Sequence, residues 1–268
     1  MIAAAVPTTS YYLMLSAVLF SMGTVGVLVR RNPLVIFMAS VGKAAAFAAM
    51  LRVLVIALPF HRDDWGPAVW VLAMLSLVVG SVLAVAQGDV KRMLAYSSIN
   101  HAGFILVGVE AASNRAGETE LGSGMPSVTT YLLLYAVLTV GSFAIVSVVA
   151  RQNGGDTSVE AFNGLSARQP LLAIALTILL LAQAGVPLTS GFVAKWGVIQ
   201  AAVEEHSYTL AVIAMVTAVI GAFVYLRVMV AVWLRDAKEA GDRERVPFMR
   251  GRKAASPTGL TTRCVVAG

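Results

Sequence analysis

The chain is poor in the residues that most catalytic and binding chemistries need. It has one cysteine in 268 residues, Cys264 near the end. That excludes an internal disulfide framework, a thiolate metal cluster and an iron–sulfur site. No HExxH or CxxC occurs, and no glycine-rich phosphate loop opens a helix after a strand. Charged residues make up only 13%, against about a quarter in ordinary soluble domains. The long apolar runs hold no paired carboxylates, so general acid–base hydrolysis has no candidate pair. Redox chemistry, nucleotide binding and hydrolysis would need other chains, and no cofactor or metal is expected in this one.

Hydrophobic residues are abundant instead, 58% of the chain, with a mean hydropathy of +0.81. A helix needs about 20 apolar residues to cross a hydrocarbon core about 30 Å thick. About seven segments qualify on that basis: Tyr11–Val29, Leu34–Leu58, Ala68–Ala86, Met93–Val109, Val128–Ala150, Pro170–Gln200 and Tyr208–Leu234. None shows the polar/apolar alternation of a barrel strand. The expected class is all-α, a polytopic membrane protein. The first segment lacks a basic leader and a small-residue cleavage site, and reads as retained.

The net charge of +6 follows from topology rather than from nucleic acid. Arg30 and Arg31, Lys91 and Arg92, Arg151 and Arg168, and the basic tail from Arg235 fall in alternate loops. The opposite loops hold mainly acids: Asp63, Asp64, Glu118, Glu120, Glu204 and Glu205. The positive-inside rule then puts the N-terminus outside and the C-terminus in the cytoplasm. Residues 236–268 read as a basic, solvated, disordered cytoplasmic tail.

Two lysines stand out. Lys43 lies within Leu34–Leu58, and Lys195 within Pro170–Gln200. A charged side chain at mid-bilayer costs about 3 kcal/mol on insertion scales, so an intramembrane lysine is a functional-site hypothesis. The bland alternative is snorkelling to the interface. Lys43 is at least about 14 Å from either end of its segment, beyond that reach at 1.5 Å per residue. Lys195 is nearer an end, and for it snorkelling competes more strongly; Arg52 reads as a snorkeller.

Desolvation and a neighbouring carboxylate or water file push a buried lysine's pKa in opposite directions. Poised between them, an amine can accept and release a proton, as a relay requires. His101, about 15 Å along the helix that begins near Lys91, is a third candidate, because imidazole titrates near neutrality. A hydrogen-bonded structural histidine is the equal alternative.

Pro170–Gln200 would be roughly 46 Å long as one straight helix. Inside it, Gln183-Ala-Gly185-Val-Pro187-Leu-Thr-Ser-Gly191 removes a backbone hydrogen bond and loosens the chain. A discontinuous helix around Pro187 is expected, and transporters place such breaks at ion sites.

Four stretches, FMASVGKAAAFAAMLRVL, GDVKRMLAYSSINHAGFILVG, FNGLSARQPLLAIALTILLLAQAGVPLTSGFVAKW and YLRVMVAVW, together resemble the N subunit of the bacterial proton-pumping NADH:quinone oxidoreductase, respiratory complex I, one of its antiporter-like membrane subunits. The likeness covers about three quarters of the chain and corresponds to that subunit's second half. It implies that Lys43 is the central lysine of a proton channel and Lys195 the lysine on the later broken helix. His101 would lie along the hydrophilic axis between them. It also implies other complex I membrane subunits as partners, within the inner (plasma) membrane, with NADH and quinone bound by those other subunits and no nucleic acid. Residues 1–36 instead resemble the first helix of the K subunit of the same complex, leaving 37–235 as the antiporter-like unit. The helix that bears the family's glutamate partner of the lysine has no counterpart here, and Glu110 is the only carboxylate near the apolar spans.

Two other readings carry less. A cation/proton antiporter subunit of the Mrp type shares the broken helix and lysines, and a rearranged fragment would insert without transporting. A retinal protein needs a lysine in the last span and a carboxylate in the third, and neither is there.

Overall fold

The computed structural model describes residues 33–114 and 124–235. The first expected span, Tyr11–Val29, and the tail 236–268 with Cys264 lie outside the described residues. Within them the order is α1 (Pro33–Leu51), α2 (Arg62–Val85), α3 (Val90–Asn114), α4 (Gly124–Gln152), a short α5 (Leu165–Arg168), α6 (Pro170–Ala184), α7 (Ser190–Glu204) and α8 (Tyr208–Leu234). The only extended pairing among them is an isolated bridge between Asp89 and Ser158. The chain is all-α.

Three helices, α2, α4 and α8, are singly long and apolar enough to cross a membrane. The expected span Leu34–Leu58 is α1 continued by a π-helical stretch, Arg52–Ala57. The expected span Met93–Val109 extends to a 25-residue helix whose first turns are polar. Pro170–Gln200 is two helices of 15 residues each. The expected spans therefore do not stand as seven uniform apolar helices.

Helices pack closely where glycine removes a side chain, as small residues permit between membrane helices. A Cβ on Gly80 would lie 2.5 Å from the Asn100 nitrogen, and one on Gly103 would lie 2.8 Å from the Leu77 nitrogen. Both contacts press α2 onto α3.

The end bearing Lys91 is tied by polar contacts. Asp89 Oδ1 accepts from the Arg92 amide at 2.8 Å, opening α3 as an N-cap should. The Val90 amide donates to the Thr157 carbonyl at 2.8 Å and the Val159 amide to the Gly88 carbonyl at 3.0 Å. Arg227 of α8 donates to the carbonyls of Val85 and Gln87, placing a cation at the C-terminus of α2.

The buried apolar residues form two clusters. One gathers Trp65, Val69, Leu77, Phe104, Ile105, Val128, Val198 and Leu210; the other gathers Ala84, Met93, Leu94, Phe143, Val146, Phe162, Leu176 and Val224. Along α2, α3, α4 and α8 the chain passes from one cluster to the other through buried polar residues: Ser81, then Ser97, Ser98, Asn100 and His101, then Thr139 and Ser142, then Thr217. On the broken pair, Gln183 and Lys195 occupy the same interval. The protein thus has a polar layer between two apolar ones.

Candidate functional site

The polar layer holds every residue singled out as a relay candidate. Lys43, His101 and Lys195 are 7%, 5% and 6% exposed. None snorkels; Arg52, by contrast, is exposed.

Lys195 is positioned by the break. Gly185 ends α6 with φ 81°, and the amides of Gly185 and Val186 donate back to the Leu181 carbonyl, a glycine C-cap. Thr189 opens α7, its hydroxyl accepting from the Phe192 amide. Gly191 then passes so near α6 that a Cβ there would collide with the Ala182 carbonyl oxygen. This fold-back brings the Lys195 Nζ to the last carbonyls of α6, donating to Gln183 O at 2.9 Å and Ala184 O at 2.8 Å. A cation there complements both the bare carbonyls and the helix dipole. The Nζ also lies 5.4 Å from the centroid of the Phe104 ring, within cation–π range. Gln183 anchors the break to α4, its Nε2 donating to Leu138 O at 3.0 Å and Ser142 Oγ at 2.7 Å.

His101 sits between two tyrosine hydroxyls. Its Nδ1 is 2.8 Å from Tyr131 Oη and its Nε2 2.9 Å from Tyr225 Oη. Tyr225 Oη is in turn 2.7 Å from Ser97 Oγ. A neutral imidazole offers one donor and one acceptor, and a hydroxyl can serve as either. The file Ser97, Tyr225, His101, Tyr131 can therefore reverse its hydrogen-bond direction without moving a heavy atom.

Lys43 Nζ donates to Ser98 Oγ at 3.1 Å. The ring centroid of Tyr135 is 5.2 Å from that of His101. His101, Tyr131, Tyr135, Gln183 and Lys195 line one cavity of about 10 Å³, the space of about one water. The structure brings all three candidates into one buried polar layer: Lys43 bonded to Ser98, His101 between the tyrosines, and Lys195 across the cavity. Amine, hydroxyl, imidazole and a single water are groups that pass protons.

The tyrosines Tyr131, Tyr135 and Tyr225, and the anchoring role of Gln183, were not read from the sequence. A signal existed: a phenol in an apolar span needs a hydrogen-bond partner, so each Tyr there points to a polar neighbour. Among the described residues no group of three or more His, Cys, Asp or Glu could hold a metal ion. The one buried carboxylate among them, Glu110, lies nine residues beyond His101 on α3, about 14 Å. Between the two, Phe104, Ile105, Val107 and Val109 are fully buried and apolar.

Comparison with known proteins agrees with this architecture. Residues 2–221 match the family model described as NADH:quinone oxidoreductase/Mrp antiporter, TM. The NADH-quinone oxidoreductase subunit N of Rhodococcus opacus is 46% identical over 218 residues, 81% of this chain and 39% of that protein. Subunit N 3 of Streptomyces griseus is 42% identical over 231 residues, 86% and 39%. The chain thus spans about 39% of the length of these curated relatives. Among solved structures, a chain of respiratory complex I from Thermus thermophilus with bound aureothin superposes with a TM-score of 0.65 at 29% identity, covering 88% of this chain and 52% of that one. A chain of the Mrp complex from Dietzia shares the fold, with a TM-score of 0.68 at 22% identity, covering 86% and 43%. With two buried lysines, a broken helix and these matches together, the chain belongs to the NADH:quinone oxidoreductase/Mrp antiporter transmembrane family.

Proposed function

We propose that this chain is a proton-translocating membrane subunit of a respiratory NADH:quinone oxidoreductase, passing protons along Lys43, His101 and Lys195. The observation that carries the reading is the polar layer itself. Two lysines, 7% and 6% exposed, lie with buried hydroxyls and an imidazole between two apolar clusters. Such a layer costs stability wherever its polar groups are incompletely paired, and a relay gives a reason to keep it. Lys43 holds and releases a proton at one end, Ser98 and Tyr135 connect it to His101, and Lys195 exchanges with one side of the membrane.

On this reading the chain carries out no redox step. NADH and quinone are bound by other subunits, and the enzyme to which it contributes is the whole translocase. Its partners are the other membrane subunits of that complex, in the inner membrane, with the N-terminus outside and the C-terminus cytoplasmic. Residues 37–235 form the antiporter-like unit, preceded by a K-subunit-like segment, 1–36, and followed by a basic tail, 236–268.

The test places Lys43→Ala and Lys195→Ala in a complete homologous subunit and measures proton pumping per electron in vesicles. Loss of pumping supports the reading, and an unchanged stoichiometry refutes it. A second reading, a subunit of a cation/proton antiporter, is favoured by the fold shared with the Dietzia Mrp chain. Co-purification with antiporter subunits instead of respiratory ones decides for it. Absence from any assembled complex decides for a fragment that inserts without transporting.

A further inference from the structure

Phe104 stands where the polar layer ends. It follows His101 by one turn on the same face of α3, and it opens the buried apolar stretch that runs on to Val109. A buried phenylalanine on a membrane helix is ordinarily core filler, and this one does pack in the cluster that includes Trp65 and Leu77. Two contacts set it apart. The Lys195 Nζ lies over its ring, 5.4 Å from the centroid. The same ring stacks on that of Tyr131, with centroids 6.0 Å apart and planes 13° from parallel. Tyr131 Oη is the hydroxyl 2.8 Å from His101 Nδ1. One apolar ring thus meets both the lysine and the tyrosine that, with His101, line the water-sized cavity.

We propose that Phe104 is a positioning residue of the relay: its ring holds the Lys195 ammonium from one side and steadies Tyr131 beside His101, so that amine and imidazole stay on one cavity. The inference rests on the proton-relay reading above and adds to it a part that no ionisable group supplies. The Gln183 and Ala184 carbonyls take two of the ammonium's three N–H groups. Both draw the amine toward the end of α6. The ring attracts it from α3, the helix that carries His101. An aromatic face attracts a cation through its quadrupole, most strongly where water is excluded, and it offers no such attraction to a neutral amine. The hold is therefore present while Lys195 carries its proton and weakens once that proton is given up. A leucine would fill the space without making that distinction.

The test replaces Phe104 in the purified full chain by mono-, di- and trifluorophenylalanine, which keep the shape of the ring and step down the negative charge of its face. Each protein is unfolded thermally, both with Lys195 in place and with Lys195→Leu. The unfolding temperature is expected to fall stepwise with fluorination when the lysine is present and to stay level in Lys195→Leu, which isolates the interaction between the two side chains. The same series at the matching position of a complete homologous subunit is expected to slow proton translocation stepwise, about tenfold in all by the trifluorinated ring, equivalent to about 1.4 kcal/mol. Phe104→Leu is expected to slow it at least as far, and the fluorinated rings keep the test decisive where that variant folds poorly. Equal slopes in both backgrounds, or no slope in either, overturn the assignment, because packing alone is indifferent to the charge at position 195. A translocation rate unmoved by fluorination overturns it as well. Lys195→Ala in the same subunit then tells which idea has failed: pumping lost there leaves the relay standing without Phe104, and pumping kept there removes the relay too.

Discussion

Lys195 closes the helix that ends at Ala184: its amine, carried on the next helix, donates to the Ala184 carbonyl at 2.8 Å and to the Gln183 carbonyl at 2.9 Å. The group proposed to move a proton is thus also the group that satisfies the broken end of α6. Removing it leaves two buried carbonyls without a donor, at about 1–3 kcal/mol each. Lys195→Met is expected to lower the thermal unfolding temperature of the purified chain. In a complete homologous subunit it is expected to abolish pumping. A variant as stable as the parent would show that the carbonyls find other partners.

Gly185 is fitted to that lysine. Its φ of 81° disfavours any side chain, and a Cβ would lie 2.8 Å from Lys195 Cδ. Gly185→Ala is expected to cost about 1–2 kcal/mol from the left-handed backbone and to displace the amine from Ala184. A chemical-denaturation midpoint reads the first effect and pumping in the homologous subunit reads the second. Normal values of both would remove the glycine from the argument.

Tyr225 bridges Ser97 and His101, so Tyr225→Phe keeps the ring and deletes only the hydroxyl. About 1–3 kcal/mol of stability is expected to go with it, because Ser97 and His101 each lose a partner. The translocation rate is expected to fall by at least about tenfold, equivalent to about 1.4 kcal/mol on the barrier. Pumping at the parental rate would take Tyr225 out of the relay.

Gln183 separates anchoring from transport. Gln183→Leu removes the bonds to Leu138 O and Ser142 Oγ while leaving the backbone carbonyl that Lys195 uses. The expected result is faster amide hydrogen exchange confined to the end of α6 and the start of α7, with α2 and α3 unchanged. Uniform exchange across all helices would mean that the side chain serves general stability.

The sequence revealed the elements that hydrophobicity and proline write locally. The break at Pro187 was legible because a 31-residue apolar run cannot be one helix of ordinary span, and α8 runs from Tyr208 to Leu234 as expected. Burial of Lys43 was legible from its distance to the segment ends. That of Lys195 was less so, since five residues separate it from Gln200 and only the fold-back at Gly191 carries it inward. The hydroxyl partners of His101 were not legible. Tyr131 and Tyr225 are 30 and 124 residues away in sequence, and a partner that distant is set by helix packing, which apolar periodicity does not encode. The π-helical ending of α1 was equally silent.

A membrane that stores an ion gradient behaves as a charged capacitor, and any continuous wet path through it is a short circuit. The stretch Phe104, Ile105, Val107 and Val109, fully buried between His101 and Glu110, supplies the dielectric. On the proposed function, its dryness keeps the stored voltage from leaking back along the wire that charges it.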